Sequence, residues 1–484
     1  MSKLSWNGLQ SERVFFWFCQ LCAIPHGSGN TKQISDFCVN FAAERGLEWE
    51  QDSWNNVMIV KEASAGYETA PAMLLQGHLD MVCEKEKGSS FDFTKDPLEL
   101  VRDGDDLFAK GTTLGGDDGI AVAVILALLE SNTVAHPRLE AVFTTDEETG
   151  MTGAQNIDLS RLTATRMINL DSEQEGVFTV GCAGGGHVNW HLPGEWKQET
   201  GELAVFEISG LTGGHSGMEI GREGASAVSL LGKLLFALGQ NFSFRILSVS
   251  GGTQSNAIPI FAQTQLLFLQ PEKEEIQRVL AQLKQDWLCS YGATDPQLDL
   301  TMMWEGRREE MCLTKDCGER LIFLLYHYPY GVISRDTALG GMVKTSLNLG
   351  ILRTEQEKIE GVFCVRSNVE AEKKDLVNHL ISMTEYLGGT VEREGDYPAW
   401  ERQKESRLQE LMTKAYRDIS GKEPVIETIH AGLECGYFVD KIPGLDCVSV
   451  GPNIFEIHTI RERLSVSSVE RLWIFLLEVL KRGF

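Results

Sequence analysis

Three short apolar runs that each break off in histidine or carboxylates constrain this chain more than any other feature. AMLLQ (72–76) runs into GHLDM, LEAVFTT (139–145) into DEETG, and RMINL (166–170) into DSEQEG. Runs of this length, separated by helix-length amphipathic segments, are the pattern of an α/β sheet. Ligands of open parallel sheets bind beyond the carboxyl ends of the strands, which is where these polar residues fall. His78 and Asp80, two apart in extended backbone, project to the same side. A fourth element, GTTLGGDDGIAVAVILALLE (111–130), reads as a glycine-rich loop entering an apolar helix. Asp117 or Asp118 is its natural N-cap, which leaves the other aspartate free to face a cleft. Carboxylates crowded in this way repel, and some must take up protons unless divalent cations neutralise them.

The texture changes after GCAGGG (181–186). Strand patterns at 203–210, 244–252 and 260–269 alternate with helix patterns at 224–239 and 272–291, followed by a hairpin over 345–367 and a helix over 369–387. That order predicts a small antiparallel sheet with helices on one face. Segment 300–335, with its charge run EGRREE and aromatic LIFLLYHYPYG, fits neither pattern and is expected to be an insertion or helical elaboration. The chain then returns to the early texture. The expected organisation is therefore a discontinuous α/β domain, 1–185 and 395–484, with an α+β domain, 186–394, inserted in it.

Composition removes several alternatives. Lys plus Arg is 44 against 69 Asp plus Glu, a formal charge of −25, and such a field repels nucleic acid and anionic membranes. The longest clean apolar run, 120–129, is too short for a membrane span, which needs roughly 20 residues. Segment 14–24 (VFFWFCQLCAI) reads as an amphipathic first helix rather than a signal core, and Cys19 and Cys22 in it as a buried helical pair. Eleven cysteines, an odd and scattered set, fit a reducing cytoplasm.

The strings GHLDMV (77–82), GTTLGGDDGI (111–120), TDEETGMTGA (145–154), NLDSEQEG (169–176), GGHSG (213–217), NAIP (256–259), HAGLECG (430–436) and VSVGPNIFEIH (448–458) resemble, in order, the motifs of the bacterial aminoacyl-histidine dipeptidases. These are di-zinc metallopeptidases related to carnosinases and aminoacylases. The resemblance implies a zinc-peptidase α/β domain with an inserted lid, and hydrolysis of dipeptides, Xaa-His such as β-alanyl-histidine among them, by a water bridging two zinc ions. It implies that His78 and Asp171 hold one zinc, Glu148 and His458 the other, and that Asp117 bridges both, with manganese or cobalt as substitutes. Glu147 would be the general base, Asp80 would orient His78 through its other ring nitrogen, and His215 would stabilise the oxyanion from the lid. Asn256 and Arg366 match substrate-binding positions, the arginine offering a fork for a peptide carboxylate. A cytoplasmic homodimer acting on small peptides follows from the same resemblance. Its rivals are a di-zinc N-acyl amino acid deacylase or tripeptidase of the same fold, and a catalytically silent peptide-binding relative. Two departures stand out: MEIGREGASA (218–227) after GGHSG, and EIHTIRERLSV (456–466), which lacks the expected proline-rich pattern.

Overall fold

A computed structural model describes residues 6–355 and 358–483. The chain forms two compact units. One runs to Cys182 and resumes over Trp400–Thr428 and from Leu433; the other comprises Ala183–Ala399 and Ile429–Gly432. The crossings thus fall at 183 and 399, against the 186 and 394 read from the pattern. A further short excursion at Ile429–Gly432 had no signal in hydropathy.

The first unit is built on an eight-stranded mixed sheet. Its middle four strands, Leu139–Thr144, Met73–His78, Arg166–Asn169 and Asp446–Ser449, run parallel. Antiparallel strands flank them, Val57–Lys61 on one side and Val177–Cys182 on the other. Every residue of Met73–His78 and of Leu139–Thr144 is buried, which explains why these strands read as near-continuous apolar runs rather than alternating ones. The helix Gly116–Glu130 is buried on all sides, at 13 of its 15 residues. It shares one core with Phe15 and Phe18 of the first helix, Glu12–Leu21, and with Leu472 and Leu476 of the last, Val466–Lys481. Among the described residues no helix is long and apolar enough to cross a membrane.

The second unit is an antiparallel sheet of nine strands, larger than the small one expected. Segment 300–335 accounts for much of the difference. It contributes most of an edge strand, Asp299–Leu313, then the helix Lys315–His327 and the strand Gly331–Asp336. An edge strand facing solvent tolerates the charges of EGRREE, so the apolar period that marks inner strands is absent from it. Four helices, Ala227–Asn241, Lys273–Tyr291, Lys315–His327 and Glu370–Tyr386, contribute to a single apolar cluster.

One glycine fixes how the first unit's central strand meets its buried helix. A Cβ on Gly77 would lie 2.7 Å from Asp118 Oδ2 and 2.9 Å from the Ala121 Cβ. Overpacking of this kind costs about 1–3 kcal/mol. Gly77→Ala is therefore expected to lower the urea midpoint of unfolding by a corresponding amount; an unchanged midpoint would show that the helix start yields freely.

Candidate metal centre

The carboxyl ends of the parallel strands bring the punctuating residues together. His78 closes its strand with a fully buried ring, and its Nε2 lies 3.2 Å from Asp117 Oδ1 and 3.7 Å from Asp171 Oδ1. His458 Nε2 lies 3.2 Å from Asp117 Oδ2 and 3.1 Å from Glu148 Oε1. Each oxygen of Asp117 thus faces a different histidine. Three sets of donor atoms lie within 4.8 Å of one another: His78, Asp118 and Asp171; His78, Glu147 and Glu148; Asp117, Glu148 and His458. Imidazole and carboxylate donors of this kind suit zinc or manganese. His458 is held in the left-handed backbone region at φ 60°, and 44 % of its side chain is exposed.

Local structure explains each placement. Neither aspartate of GGDD caps the helix with its side chain: the loop turns through Gly115 in left-handed backbone, and Asp117 and Asp118 leave helical geometry at a kink before the long helical run. The free N–H groups are taken by a side chain from far along the chain. The buried Glu462 carboxylate accepts from the amides of Leu114 (2.8 Å), Gly115 (3.2 Å), Gly116 (2.7 Å) and Asp117 (3.4 Å). Burial raises this carboxyl from its ordinary value while the ring of backbone donors holds it down, and its contacts fix the loop that aims Asp117. Asp118 accepts instead from the His78 amide at 3.1 Å.

Asp80 is shared between two tasks. His78 Nδ1 lies 3.0 Å from the Asp80 main-chain carbonyl and 3.5 Å from its carboxylate. The carboxylate itself accepts from Ser28 Oγ (2.8 Å) and from the amides of Glu147 (3.1 Å) and Glu148 (3.3 Å). These stronger donors draw it toward the 146–148 turn, so Asp80 orients the acidic turn at least as much as the imidazole.

Glu434, in HAGLECG, is wholly buried beneath this cluster. Its Oε2 accepts from Gln76 Nε2 (2.6 Å) and Thr144 Oγ1 (2.5 Å), while Asn169 Nδ2 donates to Gln76 Oε1 (2.5 Å). A single polar network thereby ties the ends of three parallel strands. Glu434 stands in a motif whose chemistry the sequence does not explain, Glu462 carries no local signal, and only tertiary contact reveals what either does.

The remaining predicted residues lie in the second unit. The short strand Gly214–His215 pairs with Ala257–Ile258, and the Ser216 amide donates to the Asn256 carbonyl at 2.8 Å. His215 Nδ1 accepts from the amides of Gly217 (3.3 Å) and Met218 (3.2 Å), which leaves the neutral ring's proton on Nε2. Asn256 and the buried Arg366 line one cavity of about 450 Å³. His430, four residues before Glu434, belongs to this unit, with Nε2 2.7 Å from Ser346 Oγ and Nδ1 3.1 Å from Asn368 Oδ1.

Crowding perturbs the charges. Burial, reinforced by the charges of Glu434, Asp117 and Glu148, pushes the Glu147 carboxyl up to about 8. Burial raises Glu173 and Glu434 to about 7 each. Hydrogen bonds to Asp117 and Glu148 raise His458 to about 10. All four bind protons more tightly folded than unfolded, so each loses stabilising weight as pH rises toward its folded value. Burial holds His430 down at about 3, an opposing contribution complete by pH 6.5. Between pH 6.5 and about 8 the chelator-treated protein is expected to lose thermal stability, and a divalent metal to restore it by replacing the protons. A melting temperature that is flat or rising across that window without metal would contradict this electrostatic picture.

With this geometry in hand, similarity to known proteins is informative. The pattern of peptidase family M20/M25/M40 matches residues 74–482. The chain is 35 % identical over 484 residues to the cytosol non-specific dipeptidase of Escherichia coli (strain K12), covering 99 % of each chain. It superposes on the crystal structure of aminoacylhistidine dipeptidase from Vibrio alginolyticus with a TM-score of 0.93 at 31 % identity, covering 100 % of this chain and 99 % of that one. Aminopeptidase PepT from Bacillus cereus shares the fold at a TM-score of 0.56 and 15 % identity, over 98 % of this chain and 99 % of that one. The mixed α/β architecture, the clustered histidines and carboxylates and the match over most of its length place the chain in peptidase family M20/M25/M40.

Proposed function

We propose that this protein is a two-metal dipeptidase. The observation that carries the reading is the position of Asp117, whose two oxygens each lie 3.2 Å from a different histidine. In this reading His78 and Asp171 hold one ion, Glu148 and His458 the second, and Asp117 bridges them. The donors fit such a pair: two divalent charges offset three ligand carboxylates and relieve the repulsion that otherwise protonates the cluster. Bound there, the ions supply Lewis-acid polarisation of the peptide carbonyl and acidify a water.

The chain's own residues do the rest. Glu147, beside Glu148, is assigned as the general base that takes a proton from the attacking water and gives it to the leaving amine. The His215 Nε2–H is free to donate to the oxyanion, because Nδ1 is already engaged by backbone amides. Arg366 and Asn256, on one cavity, are assigned to the substrate, with the guanidinium matched to a terminal carboxylate. The names of the two full-length relatives support small peptides as substrates, Xaa-His dipeptides among them. We assign zinc as the resident metal and a cytoplasmic homodimer as the working form. The dimer and the compartment rest on the resemblance, with eleven free cysteines in keeping with a reducing environment.

The direct test is turnover of dipeptides, tripeptides and N-acetyl amino acids with zinc, manganese or cobalt. Preferred cleavage of dipeptides is expected. A preference for N-acetyl amino acids or tripeptides would replace the reading with a deacylase or tripeptidase, and inactivity on all three would favour a silent binding protein. Glu147→Gln preserves shape while removing the proton acceptor. It is expected to retain bound metal and melting temperature while kcat falls roughly 100-fold or more, the contribution of a positioned general base. Near-normal kcat with normal metal content would refute the role of Glu147.

A further inference from the structure

The cavity that holds Asn256 and Arg366 contains a second, unassigned pair, Cys364 and His187. The two face each other in register across antiparallel strands, Lys358–Ser367 and Gly184–Pro193, and both line this cavity. Arg366, two residues along the same strand, projects to the same face of the sheet. Its Nη1 is occupied by the Tyr397 hydroxyl at 2.7 Å, but its Nε, in a side chain only 8 % exposed, has no hydrogen-bond partner among the described residues. A buried guanidinium N–H beside a cavity suits the oxygen of an anion. Ser216 Oγ adds a weak donor 3.8 Å from the Cys364 sulfur.

We propose that Cys364 is a covalent modification site for small anionic electrophiles, with Arg366 holding the negative group and His187 holding the thiol's proton. The sulfur attacks the carbon bearing the leaving group. A C–S bond forms, the carbon–leaving-group bond breaks, and the leaving group departs with the bonding electrons while the proton remains on the imidazole. The surroundings favour this thiol over its fellows. Burial raises the Cys364 thiol, but His187 and the Arg366 charge outweigh it and bring the group below its ordinary value of 9.0. Burial instead pushes Cys83 and Cys312 up to about 11 and Cys182 to about 12. Cys364 is itself only 5 % exposed, so a reagent reaches its sulfur through the cavity it lines.

Iodoacetate and iodoacetamide are the probes, applied separately to the full-length protein at pH 7, with each cysteine followed by peptide mass spectrometry. The exposed Cys83 and Cys289 serve as internal references. Cys364 is expected to be carboxymethylated severalfold faster than Cys289. Its ratio of iodoacetate to iodoacetamide rates should exceed that of Cys289 in wild-type protein, a comparison that needs no variant to fold. Arg366→Gln should reduce that ratio to the Cys289 value. Labelling confined to Cys83 and Cys289, or equal ratios at Cys364 and Cys289, would overturn the proposal. These readouts do not depend on peptide hydrolysis, so they stand or fall apart from the function proposed above.

Discussion

Carboxylates gathered at the ends of buried parallel strands repel one another, and much of the first unit serves to hold them in place against that repulsion. Two like charges 4 Å apart oppose each other by about 4 kcal/mol at an effective dielectric of about 20. Asp118, Asp171, Glu147 and Glu148 gather about His78, and Asp117 and Glu148 about His458, in groups whose donor atoms lie within 4.8 Å of one another. Burial, with this repulsion added to it, raises Glu147 to about 8 and Glu173 and Glu434 to about 7. The surrounding structure answers the strain with directed donors. Glu462 is embedded in four amides of the 114–117 loop, Asp80 is held by two amides of the acidic turn, and Glu434 is bound by Gln76 and Thr144. Each contact fixes a carboxylate-bearing loop that would otherwise relax away from its neighbours.

The same constraint separates what was legible in the sequence from what was not. Strand ends were readable because a buried parallel strand is an unbroken apolar run, and its last residue marks where polar chemistry can begin. His78, Glu147, Glu148 and Asp171 therefore stood out. The helix cap did not follow the local rule. Asp117 and Asp118 look like capping residues in GGDD, yet the capping acceptor is Glu462, more than 300 residues away, and the aspartates are thereby left for the cluster. No window-based reading sees such a substitution. HAGLECG was visible as a motif but opaque in meaning, since His430 and Glu434 serve different units within five residues of chain. Segment 300–335 was unreadable for another reason: an edge strand with one face in water carries charges that imitate a loop.

In the second unit, polar side chains are arranged by sheet register rather than by local sequence. His215 acquires its tautomer from two amides of its own turn, and Asn256 lies beside it because Gly214–His215 pairs with Ala257–Ile258. Cys364, Arg366 and His187 share one face because antiparallel pairing sets Cys364 opposite His187. Sequence spacing gives no sign of the last grouping, which joins residues some 180 positions apart. The polar clusters of this unit and the acidic cluster of the first thus arise from different devices, register in one and strand termination in the other.

Asp117 is proposed to serve two cations at once. Elemental analysis of zinc-reconstituted, desalted protein tests it most directly when wild type, Asp117→Ala and Asp171→Ala are compared. The account predicts about two ions per chain in wild type, one in Asp171→Ala and fewer than one in Asp117→Ala. At most one ion in wild type, or equal losses in the two variants, would contradict it.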